Sequence, residues 1–146
     1  MIAPMAKKTA LCARSAAAAK AAAEIAKSKK GIVAVLGTSA TIKSGAYSNA
    51  LQEYGIGNII PRACPMFVPL VENWHPSADD TATNAIISEY LADVKVCNPD
   101  AAILGCTHYP LLTDAIQKHL PDTALVNSGA EAAKALCDRL KELGME

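Results

Sequence analysis

A chain of 146 residues is long enough to bury one real hydrophobic core. Hydrophobic residues make up 51% and charged residues 19%, which excludes a disordered chain, and 14 basic residues balance 14 acidic ones, which leaves no electrostatic case for a nucleic-acid partner. No run of about 18 apolar residues occurs, so no membrane span is expected.

The start, Met1-Ile2-Ala3-Pro4, turns polar too soon for a signal peptide. Residues 5–28 are rich in Ala and Lys and predict a helix, with Pro4 near its first turn, lysines at its C-terminal end and Gly31 as its stop. Ile32 to Leu36 is a short apolar run with β-branched residues and predicts a buried strand. Gly37-Thr38-Ser39-Ala40 makes a turn, and one helix is expected from there to about Tyr54, closed by Gly55. Asn58-Ile59-Ile60 predicts a second, shorter strand. The stretch from Pro61 to Pro76 is non-periodic and holds four prolines, so it reads as a long loop of the kind that is often functional. Ser77 is the expected cap of the next helix, with Asp79 and Asp80 in its first turn. Ile86, Ile87, Tyr90, Leu91 and Val94 fall at helical spacing and predict a core-facing stripe.

Asn98-Pro99-Asp100 is a turn. The run Ala101 to Leu104 predicts a third buried strand, and Gly105-Cys106-Thr107-His108-Tyr109-Pro110 follows it, with a helix from Pro110 to about His119. Thr123 to Val126 is a fourth strand, Ser128 the expected cap, and Ala130 to Leu143 the last helix. Strand and helix alternate four times, which predicts an α/β fold: a four-stranded, mostly parallel sheet flanked by helices on both faces. Ligands of such sheets bind outside the carboxyl ends of the strands.

Cys106 falls at such an end. Backbone N–H groups and a helix start beyond it favour a thiolate, and His108, two residues on, can move a proton. That arrangement suits nucleophilic or acid/base chemistry. The alternative is a buried structural cysteine. The chain has five cysteines, an odd number with no Cys-x-x-Cys pair, which read as free thiols of a reducing cytosol. Cys12, Cys64, Cys97 and Cys137 lack a polar neighbourhood like that of Cys106 and read as packing residues. His75, beside Trp74, reads as an exposed loop residue; His119, near a helix end, reads as a favourable contact with the helix dipole. Lys43 and Tyr47 read as structural or surface residues. No metal-ligand constellation and no glycine-rich nucleotide loop is visible.

The Gly-Cys-Thr-His-Tyr-Pro segment resembles the signature around the second catalytic cysteine of the glutamate racemase family. Residues 35–47, Val-Leu-Gly-Thr-Ser-Ala-Thr-Ile-Lys-Ser-Gly-Ala-Tyr, and residues 63–72, Ala-Cys-Pro-Met-Phe-Val-Pro-Leu-Val-Glu, resemble two further family segments, in the family's order and at its spacing. A related aspartate racemase group usually has an acidic residue where His108 stands. Asn127 departs from the family's usual Asp before Ser-Gly.

The resemblance implies a cofactor-independent racemase, with Cys106 as one of two facing thiols. Thr107 and His108 would contact substrate, Glu72 would orient His108, and Thr38 and Thr41 would lie near the substrate carboxylates. From the residues alone, Thr38 and Thr41 are as well read as helix caps. Family members have two similar α/β domains and a first cysteine in a Cys-Asn-Thr motif; that motif, the Asp-Ser-Gly loop and the Pro-Tyr-Gly segment do not occur here. The expected division is therefore a linker helix over 1–30, the second racemase domain over 31–121, and a strand and helix over 122–146 that return to a missing first domain. The implied function is interconversion of L- and D-glutamate for peptidoglycan in the cytoplasm, with no metal and no cofactor. The expected associations are a homodimer or a complex with the missing first domain. The alternative is a catalytically inactive α/β domain or a subunit that needs a partner chain.

Overall fold

In the computed structural model the backbone is described for residues 4–73 and 77–145, and side chains for residues 13–73 and 77–145. His75 and the side chain of Cys12 lie outside the described residues. The elements run in the order α1 (Pro4–Lys27), β1 (Ile32–Gly37), α2 (Ser39–Ser44), α3 (Ala46–Glu53), β2 (Asn58–Ala63), α4 (Phe67–Asn73), α5 (Thr81–Cys97) and β3 (Ala101–Leu104). A 3-10 turn (Tyr109–Leu112) follows, then α6 (Thr113–His119), β4 (Ala124–Asn127) and α7 (Ser128–Glu142).

The strands form one all-parallel sheet in the order β2-β1-β3-β4. Side chains of a strand alternate between faces, so the sheet has two cores. Val33 and Val35 of β1, with Ala101 and Ile103 of β3 and Val126 of β4, face α1 and α3. Ala34 and Leu36, with Ala102 and Leu104, face α4, α5 and α6. On α1 the inward stripe is Ala18, Ala19, Ala22, Ala23 and Ala26. On α5 it is Ile87, Leu91 and Val94, with Ile86 and Tyr90 packed at its margin. Below the sheet, Asp100 ties three strands together. Its carboxylate accepts from Ile32 N (3.0 Å), its own N–H donates to Ile32 O (2.8 Å), and its carbonyl accepts from Ala124 N (3.0 Å).

The fold class and helix-on-both-faces layout agree with the sequence reading, but several boundaries do not. The helix expected from residue 40 to 54 is two helices, because Gly45 adopts φ +67° and ends α2 where α3 begins. The expected loop over 61–76 contains the end of β2 and all of α4. Glu72 thus sits on a helix. Asp80, not Ser77, caps α5: its Oδ2 accepts from Thr83 N (2.8 Å) and Thr83 Oγ1 (2.6 Å). Asn127, not Ser128, caps α7 by accepting from Ala130 N (3.0 Å). β4 lies beside β3 in the same sheet, and α7 packs along α1.

Candidate active site

Because the sheet is all parallel, the carboxyl ends of β1, β2 and β3 open on one edge. Three short connections leave that edge. Thr38 follows β1 and caps α2: its Oγ1 accepts from Thr41 N (3.2 Å) and donates to Thr41 Oγ1 (3.0 Å). The two hydroxyls therefore face each other on the first turn of α2, and the capping reading of Thr38 holds. Cys64 follows β2 and leads into α4, which carries Glu72. Gly105, Cys106, Thr107 and His108 follow β3.

The last connection is held tightly. Gly105 N donates to Leu36 O at 2.8 Å, continuing the β1–β3 ladder beyond the strand. A Cβ on Gly105 would lie 3.0 Å from Leu36 O and 3.2 Å from Tyr47 Cε2, so a larger residue fits only if these neighbours give by a few tenths of an ångström. Tyr47, fully buried on the α3 side, donates its hydroxyl to Gly105 O at 3.4 Å. Burial pushes its phenol above the ordinary value, against the opposing effects of a hydrogen bond with Ser128 and the charge of Arg14; a Cys106 thiolate nearby raises it further. Tyr47 is thus structural, not a surface residue.

Cys106 is half-buried, its side chain against the α4–α6 core and the rest open at the sheet edge. Thr107 is exposed beside it. His108 Nε2 lies 3.2 Å from Glu72 Oε1, and Thr107 Oγ1 lies 3.5 Å from His108 Nδ1. The Glu72 and His108 side chains are 54% and 37% exposed, so the pair contributes only about 0–1 kcal/mol to stability.

Among the described residues, Cys64 sits at this edge but is sealed in the core, and Cys97, Cys137 and His119 lie on other helices. Cys64 is fully buried, as a packing residue should be, and burial pushes its thiol up to about 12 despite Arg62. Cys97 and Cys137 are exposed, so the packing reading of those two fails: each falls on the solvent side of its helix. His119 lies in the last turn of α6, as the sequence reading placed it near a helix end. Its Nε2 bonds Asn84 Oδ1 at 2.9 Å, and burial, then Lys95 and Lys118, lower its affinity for a proton.

Sequence reasoning missed Tyr109. It is fully buried, donates its hydroxyl to Cys64 O at 3.0 Å and stacks edge-to-face on Phe67, with centroids 5.2 Å apart. Burial pushes its phenol far up, and Cys64, Cys106 and Tyr90 add to that. Only an aromatic residue directly after His108 signalled it. Among the described residues no group of three or more His, Cys, Asp or Glu could hold a metal ion, and no helix is long and apolar enough to cross a membrane.

Comparison with known proteins gives a consistent picture. A family model described as Asp/Glu/Hydantoin racemase matches residues 15–136. A glutamate racemase of Aquifex aeolicus is 43% identical over 118 residues, which are 81% of this chain and 45% of that protein. One of Persephonella marina is 42% identical over 105 residues, 72% of this chain and 40% of its own length. The chain therefore spans less than half the length of these relatives. Among solved structures, a glutamate racemase isoform of Bacillus anthracis superposes with a TM-score of 0.80 at 35% identity, covering 90% of this chain and 49% of that one. A glutamate racemase of Francisella tularensis, solved in complex with D-glutamate, gives 0.79 at 28% identity, covering 90% and 48%.

Proposed function

Because the chain belongs to the Asp/Glu/hydantoin racemase family, we propose that it supplies one half of a cofactor-independent glutamate racemase site, with Cys106 serving one face of the substrate α-carbon. The observation that carries this reading is the single sheet edge shared by Cys106, the Glu72–His108 pair at 3.2 Å and the facing hydroxyls of Thr38 and Thr41. As thiolate, Cys106 takes the α-proton: the S–H bond forms, the C–H bond breaks and the electron pair stays on carbon, spread toward the carboxylate. A second thiol, outside this half, returns a proton to the opposite face. In the reverse direction Cys106 starts as thiol and donates. A free thiol titrates at about 8.5, so a nearby proton carrier is needed for thiolate at neutral pH. His108 fills that role, Glu72 orients it, and Thr107, Thr38 and Thr41 hold the substrate through hydroxyl and backbone groups.

On this reading residues 31–121 hold the second α/β unit, α1 and β4 complete its sheet and cover, and the exposed Leu136, Leu143 and Met145 favour association with the first domain or a second copy. The product would be D-glutamate for peptidoglycan in the cytoplasm. The test is deuterium incorporation at the α-carbon of L- and D-glutamate in D2O, read by NMR. The chain alone should label one enantiomer slowly with negligible inversion, and Cys106→Ala should abolish labelling. Equal labelling by both proteins, or rapid loss of optical rotation from L-glutamate, overturns the proposal. No labelling by either favours the second reading, a non-catalytic domain or partner-dependent subunit.

A further inference from the structure

We infer that Tyr109 is a positioning residue: its buried clasp on the β2–α4 connection sets the approach of Glu72 to His108, and through that pair the state of Cys106. The inference rests on the reading of His108 as the group that tunes Cys106.

The pair joins two elements with no covalent reason to stay in register. His108 belongs to the turn after β3, and Glu72 lies on α4, so their 3.2 Å contact depends on how α4 docks. Both partners are partly exposed, and an exposed pair does not hold a helix in place by itself. Tyr109 supplies the missing constraint. It follows His108 directly, and its side chain turns inward while that of His108 stays at the surface. Its hydroxyl donates to Cys64 O (3.0 Å), three residues before α4 begins, and its ring meets Phe67, the first residue of α4, edge-to-face at 73°. One buried side chain thus fixes the start of the helix that carries Glu72 to the backbone that carries His108.

α5 grips the same connection from the opposite side. Tyr90 meets Phe67 with centroids 5.4 Å apart, Tyr90 Oη accepts from Met66 N (3.2 Å), and Arg62 Nε donates to Tyr90 O (2.9 Å). Phe67, the sole phenylalanine of the chain, is therefore wedged between two tyrosines. The Tyr109 hydroxyl keeps its proton at any working pH, because burial disfavours the phenolate, so the grip does not switch off.

The chain carries its own controls for a test. Alkylation by iodoacetamide, followed residue by residue with mass spectrometry, reports Cys106 as the site, Cys97 and Cys137 as exposed references, and buried Cys64 as a sensor of core opening. Rates are measured for wild type, Tyr109→Phe, Glu72→Ala and the double variant. Glu72→Ala should change the Cys106 rate by about threefold or more, Tyr109→Phe should reproduce most of that change, and the double variant should show no more than Glu72→Ala alone. Cys64, Cys97 and Cys137 should keep their wild-type rates. Phe67→Leu, which removes the ring contact and keeps apolar volume, should give the same pattern more weakly. An unchanged Cys106 rate in Tyr109→Phe, full multiplication of the two effects, or Cys64 becoming reactive together with Cys106 overturns the inference; the last result would make Tyr109 merely structural. Deuterium labelling judges the racemase reading separately, so either idea can fail without the other.

Discussion

Gly105→Ala tests whether the Cys106 turn is held by close packing. The added Cβ would meet Leu36 O at 3.0 Å and Tyr47 Cε2 at 3.2 Å. Neither neighbour can move cheaply. Leu36 O belongs to a central strand and already accepts from Gly105 N at 2.8 Å, and Tyr47 is only 1% exposed, with its hydroxyl on Gly105 O. Overpacking of this kind costs about 1–3 kcal/mol. Alanine also restricts the unfolded chain, which returns about 0.4–1 kcal/mol where the native backbone suits it. The net loss is about 0–2.6 kcal/mol, centred near 1.3, and with a denaturant dependence of about 2 kcal/mol per M the urea midpoint falls by about 0.6 M at that centre. Gly57→Ala is the matched control. No heavy atom lies within 4 Å of its built Cβ, so its midpoint should hold or rise slightly. Urea unfolding followed by far-UV circular dichroism measures both. A Gly105→Ala midpoint equal to that of wild type would refute the packing argument and with it the rigidity ascribed to the turn.

Alkaline unfolding should expose the buried thiol. Cys64 has its value raised from 9.0 to about 12, so the folded state keeps a proton that the unfolded state releases; its contribution is complete below pH 9 and is lost as pH rises toward 12. Cys64→Ala should show a shallower fall of stability over that window in a urea series, and an identical slope counts against the assignment. Asp100→Ala leaves the Ile32 N–H without its carboxylate partner at a nearly dry site and should cost about 1–3 kcal/mol, read as a lower thermal midpoint; a change below about 0.5 kcal/mol would show that water replaces the carboxylate.

Much of the α/β layout was legible because apolar runs of four or five residues, such as Ile32 to Leu36 and Ala101 to Leu104, have few other uses in a chain this size. The prolines misled. Pro61 opens the stretch expected to be a loop, yet it sits on β2, an edge strand, where a missing N–H disturbs no second neighbour. Pro69 is the third residue of α4, within the first turn, where the N–H has no intrahelical partner in any case. Gly45 broke a helix that local propensity continues, and nothing local fixes the sign of its φ. At the site, Cys106 and His108 were visible because they share a hexapeptide. The Glu72 role came only from resemblance. Tyr109 stayed hidden because its partner carbonyl is 45 residues away, and hydrogen bonds to backbone leave no trace in side-chain pattern.

The parallel ladder also dictates when the site can exist. No hairpin can nucleate such a sheet, since each neighbour arrives only after a crossover; the bond from Ile32 to Asp100 closes a separation of 68 residues. During synthesis the β1 and β2 turns can form early, but both wait for β3 to bring the sulfur. A chain that ends before Tyr109 has no β3 turn, so the edge that gathers Thr38, Cys64 and Cys106 is complete only once β3 pairs with β1.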